Sequence, residues 1–136
     1  MKNVVLLFLG LALSQMAFAD ENDFRCLQSI HLQKPIKLQF NFPQDTQETG
    51  SVTYSTSKES IPIKLKSTKT LDEGPVGRPS LFQYVWEEMP NTGSGGKYII
   101  SIQGALIGDF KYVRNDGKVF RFEVNTDAST ENGCEW

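Results

Sequence analysis

The side chains able to do chemistry are few and widely spaced. There is one histidine, His31, and there are two cysteines, Cys26 and Cys134. A nucleophilic thiol needs a base to take its proton, and His31 is the one imidazole able to serve, so an enzyme reading centres on His31. Neither cysteine sits in a local nucleophile signature. His31 has no second histidine or cysteine at ligand spacing, so neither a metal site nor a cofactor is expected. The pairs Asp72-Glu73 and Glu87-Glu88 have the right residue type for acid and base work. Adjacent side chains on a strand point to opposite faces, however, and both pairs are expected as solvated surface charge. Gly93-Ser94-Gly95-Gly96-Lys97 offers backbone donors to a phosphate, but a P-loop needs Ser or Thr after the lysine and Tyr98 stands there. No catalytic set emerges, and the chain is expected not to be an enzyme.

The compartment follows from the N-terminus. Lys2 precedes an apolar run from Val4 to Leu13, and Ala17-Phe18-Ala19 ends the segment in small-x-small form. These are the three parts of a secretory signal, giving residues 1–19 as a signal peptide and 20–136 as one exported domain, periplasmic or secreted. An apolar run of that length rises about 15 Å as a helix, roughly half the hydrocarbon thickness, so no stable membrane anchor is expected. In an oxidising compartment Cys26 and Cys134 are most simply a disulfide, worth about 4–5 kcal/mol in the chain-entropy picture for so long a loop. The formal net charge is −2, and removing Lys2 makes it −3. That acidity argues against a nucleic-acid partner, which favours a basic face.

The elements that must position any site are strands. Ile36, Leu38, Phe40 and Phe42 alternate with polar residues, as do Ile61, Ile63 and Leu65, then Phe82, Tyr84 and Trp86, then Tyr98, Ile100 and Ile102. Pro62 cannot donate to a ladder, which places it at an edge or a strand start. Asp116-Gly117 between Phe110–Val113 and Val119–Val124 reads as a β-hairpin turn. Further strands are expected at Phe24–Ile30 and Ser51–Ser57, with turn-rich breaks at Thr70–Ser80 and Met89–Lys97. No window carries a sustained 3.6-residue apolar repeat. The expected fold is all-β, a small antiparallel meander of about eight strands closing into a barrel or stacking as a sandwich.

Ser94-Gly95-Gly96-Lys97-Tyr98 matches a Ser-Gly-x-x-Tyr signature and so resembles the protruding loop of the periplasmic or membrane-bound inhibitors of C-type lysozyme, which are small exported β-barrels. The resemblance implies that Ser94, Gly95 and Tyr98 contact a partner enzyme's cleft. The family's Lys-Gly segment on a second loop has its nearest counterpart in Gln103-Gly104, which lacks the positive charge. From the residues alone, glycines let the 91–98 loop project, and Tyr98 would supply amphipathic contact area. The expected role is binding or inhibiting a partner protein, a lysozyme or a toxin. The alternatives are a small-molecule carrier with a calyx lined by Phe40, Phe42, Tyr84 and Trp86, or an enzyme with a site near His31.

Overall fold

A computed structural model describes residues 23–43, 49–57 and 59–136. The expected signal segment and its cleavage point lie outside those residues. Eight strands run β1 (Phe24–Ser29), β2 (Lys37–Asn41), β3 (Thr49–Tyr54), β4 (Ser60–Asp72), β5 (Leu81–Glu88), β6 (Lys97–Gln103), β7 (Leu106–Val113) and β8 (Val119–Val124). A 3-10 turn, Thr126–Ala128, leads to the short strands β9 (Ser129–Thr130) and β10 (Gly133–Cys134). Each of the eight pairs antiparallel with the next, and β8 returns to β1 with Leu27 opposite Val124 and Ser29 opposite Phe122. That last ladder decides for a closed barrel over a sandwich.

Alternation supplies the core. Leu27, Leu38, Phe40, Val52, Ile63, Trp86, Tyr98, Ile100, Phe110 and Phe122 point inward and are buried. An eight-stranded barrel has an interior just wide enough for its own side chains. Phe40 occupies the middle, its ring centroid 4.8 Å from Phe42, 5.8 Å from Trp86, 5.9 Å from Tyr98 and 5.5 Å from Phe110, all edge to face. Such pairs add about 0.5–1.5 kcal/mol each beyond burial. Of the side chains proposed for a calyx, Phe40 and Trp86 therefore fill this space, while Phe42 and Tyr84 pack at its margin. The Trp86 Nε1–H is the one buried side-chain polar atom without a partner among the described residues.

Cys26 and Cys134 form the expected disulfide, with Cα atoms 5.6 Å apart. It fastens β10 to the barrel wall, where the Cys134 N–H also donates to the Gln39 side chain at 2.8 Å.

Strand boundaries differ from the sequence reading at β4. Alternation there ends at Leu65, and a loop was expected from Thr70, yet the strand continues to Asp72, opposite Leu81. Thr68 and Thr70 face Tyr84 and Phe82 across the ladder, the β-branched and aromatic pairing that suits a pleated surface. Register shifts at Leu65/Ser67 and Thr70/Asp72 scramble the period of two, which hid the extension. Pro62 stands third in β4, the strand start its missing N–H favours.

In such a meander the connections divide between two ends. Residues 30–36, 55–57, 89–96 and 114–118 lie at one end, here called the mouth. The β4–β5 connection, 73–80, and the tight β6–β7 turn lie at the other.

Candidate functional site

The inward positions of β5 are Phe82, Tyr84, Trp86 and then Glu88. Register alone thus carries a carboxylate to the top of the core, and Glu88 is only 5 % exposed. This corrects the expectation of surface charge at Glu87-Glu88: Glu87 does face outward, 3.6 Å from the Lys66 ammonium, but Glu88 is buried. Tyr98 is wholly buried beside it and donates its hydroxyl hydrogen to Glu88 Oε1 at 3.1 Å. With that hydrogen spent, Tyr98 accepts from Tyr54, whose hydroxyl lies 2.6 Å away. Burial pushes both phenols well above their ordinary range, so they act as donors and not as bases.

The glycine-rich connection folds down onto this cluster. The Gly95 N–H donates to Glu88 Oε2 at 2.9 Å, and the Glu88 N–H donates to the Gly96 carbonyl at 3.1 Å. Gly95 has a φ of +77°, which a side chain would strain. A Cβ on Gly96 would lie 2.2 Å from the Tyr112 ring. The Tyr112 hydroxyl meets Ser94 Oγ at 2.7 Å, and the Asn115 amide donates to the Ser94 carbonyl. The loop expected to project is instead stapled to the barrel by a buried carboxylate, a tyrosine and an asparagine. Its glycines serve close approach.

Of the residues expected to meet a partner, Ser94 is exposed, Gly95 is half-buried and Tyr98 has no exposed surface. Tyr98 holds the loop from beneath and does not present itself. Gln103, at the far end of β6, is about 20 Å along the strand from Lys97, at the opposite end of the barrel from Ser94. The cation that does share Ser94's surroundings is Arg114. Ile36, Tyr54, Ile61, Glu88, Ser94, Tyr112, Arg114, Phe120 and Phe122 line a pocket of about 250 Å³ in the mouth. Asp116 grips the Arg114 guanidinium through Nε at 3.0 Å and a terminal nitrogen at 2.5 Å, and that guanidinium also lies 5.7 Å from the centre of the Phe120 ring.

Sequence reasoning missed Glu88, Tyr54, Tyr112 and Arg114. The signal for three of them was present, because Glu88 continues the inward series of β5, Tyr54 follows Val52, and Tyr112 follows Phe110 at a spacing of two. His31 lies apart, in a groove whose other lining residues, Ile30, Leu32, Lys118, Val119, Phe120 and Arg121, bring it neither a carboxylate nor a hydroxyl. Among the described residues no group of three or more His, Cys, Asp or Glu is placed to hold a metal, and no helix is long and apolar enough to cross a membrane. No protein family, curated protein or solved structure matches the chain.

Proposed function

We propose that the protein is an exported, non-catalytic binding or inhibitory protein that docks a partner protein on the barrel mouth, with Ser94, Gly95, Arg114 and Phe120 as the contact set. The carrying observation is the mouth pocket of about 250 Å³. It lies below the roughly 300–1,000 Å³ usual for small-molecule sites and suits one protruding side chain of a partner. Its walls mix aromatic, hydroxyl and guanidinium groups, the composition of an interface centre. The network under Gly95 fixes the loop in advance, which lowers the entropy lost on docking. The disulfide is compatible with an oxidising, exported setting. The resemblance at Ser94–Tyr98 makes a C-type lysozyme the first partner to test, and a secreted toxin the next.

The test compares lysozyme inhibition and direct binding for the native protein and for a Ser94→Arg, Arg114→Ala double variant. Inhibition by the native protein, weakened by more than about 1 kcal/mol in the variant at unchanged Tm, is the expected result. No inhibition at micromolar excess removes lysozyme as the partner. A partner held with equal affinity by native and variant protein removes the mouth as the site.

A further inference from the structure

We propose that the groove beside His31 docks an extended acidic segment of the partner protein, which adds to the open edge of β8 while its carboxylates meet Lys118 and Arg121. This rests on the binding role above and names the chemistry of what is bound. β8 pairs with β1 only from Phe122 to Val124, opposite Leu27–Ser29, and one further bond runs from the Ile30 N–H to the Arg121 carbonyl at 2.9 Å. There β1 turns away through His31, whose φ of +66° is uncommon for a residue other than glycine. β8 continues past that point toward Val119, with β7 on one side and, among the described residues, no strand on the other. Val119 precedes Arg121 by the strand's period of two, so its backbone groups point to the same open edge.

The space beside that edge is about 350 Å³. Two of the exposed large apolar side chains, Leu32 at 38 % and Val119 at 48 %, line it. The remaining lining adds His31, Lys118 and Arg121 and no carboxylate. Lys118 Nζ lies 5.1 Å from the centre of the Phe120 ring, which sets its ammonium against the groove wall. Arg121 keeps one nitrogen on Asp109 at 3.1 Å and has further N–H groups to offer. Backbone edge, apolar steps and two cations together fit a strand that alternates acidic and apolar residues. A short edge limits the pairing to a few residues, so the segment alone binds weakly and adds to contacts at the mouth.

The probe is a capped peptide alternating Glu and Val, titrated into the isotope-labelled protein and followed by amide chemical shifts. Saturable shifts at Val119, Phe120 and His31, with affinity reduced about tenfold or more by Lys118→Glu with Arg121→Glu, are expected. Equal shifts from a Lys-Val peptide, displacement by a single-stranded oligonucleotide at equal charge, or no shift at millimolar peptide would each overturn the proposal. Circular dichroism of the charge-reversed variant checks that the fold is intact. A partner lost on changing Ser94 and Arg114 yet indifferent to charge reversal at Lys118 and Arg121 keeps the mouth and overturns the groove.

Discussion

The two ends of the barrel use glycine-containing connections of similar length for opposite purposes. At the mouth, residues 89–96 turn inward because Glu88 lies beneath them, a buried acceptor that the Gly95 N–H and the Tyr98 hydroxyl satisfy. At the other end no buried carboxylate among the described residues underlies residues 73–80, where the Gln103 side chain donates to the Pro79 carbonyl at 3.0 Å. The β4–β5 hairpin runs outward there, with Lys66–Asp72 exposed and Val76 bare at its tip. A Cβ on Gly77 meets nothing within 4 Å, whereas one on Gly96 meets Tyr112 at 2.2 Å. Glycine content therefore does not say whether a loop projects. What lies under the loop decides, since a buried polar group left unpaired costs about 1–3 kcal/mol and draws the chain to it.

The largest effect should strike both ends alike. Replacing Cys26 and Cys134 by Ala opens a loop of 108 residues and should lower stability by about 4 kcal/mol, read from denaturant unfolding. Hydrogen exchange should then accelerate throughout the barrel. Acceleration confined to β1 and β10 would show that the bond acts locally.

Gly96→Ala separates the ends. Overlap with the Tyr112 ring should cost about 2–3 kcal/mol, against about 1 kcal/mol for Gly77→Ala, where only the backbone conformation at a φ of +90° resists. Equal costs at the two sites would undo the distinction between a stapled and a free connection. Glu88→Leu should cost about 1–3 kcal/mol and release the Gly95 amide to exchange, because two donors lose their acceptor. A protected Gly95 amide in that variant would mean that the loop is held by Asn115 and Tyr112 alone.

The smallest effect concerns the exposed rim of the mouth. Hydrogen bonding from Arg114 holds the Asp116 carboxyl at about 2, below its ordinary 3.8. A carboxylate depressed on folding stabilises the fold above its unfolded value and loses that contribution as pH falls from about 4 towards 2. Asp116 is fully exposed, so solvent screening leaves little stability in the pair. Its side-chain resonance should nevertheless titrate near 2, and Arg114→Ala should return the midpoint towards 3.8.

Much of the frame was legible in the chain. Alternation placed Leu38 and Phe40 inward, Asp116-Gly117 gave the β7–β8 turn, and a lone cysteine pair in a small domain expected to be exported gave the bridge. The candidate site was half legible. Ser94 and Gly95 were singled out from their motif, and Tyr98 was named with them as a partner contact although it begins the series Tyr98, Ile100, Ile102 that points inward. Glu88 was set aside together with Glu87 as solvated charge, because adjacent side chains point to opposite faces, although its spacing from Trp86 put it on the buried face. Where pattern and residue type disagreed, the pattern was right, because a strand's pleat leaves a side chain only two directions.

The sequence by itself determined the eight barrel strands, save the extension of β4, with their faces and the covalent tie, since each depends on neighbours one or two positions apart or on a pair with no alternative partner. Only the tertiary structure decided that β8 closes on β1, that Glu88 finds donors in Tyr98 and Gly95, and that Arg114 rather than Gln103 stands near Ser94. Those outcomes join residues far apart in the chain, and they depend on how the curved sheet meets itself. A period of two does not encode that curvature, whereas side-chain volume and ladder register around the barrel fix it.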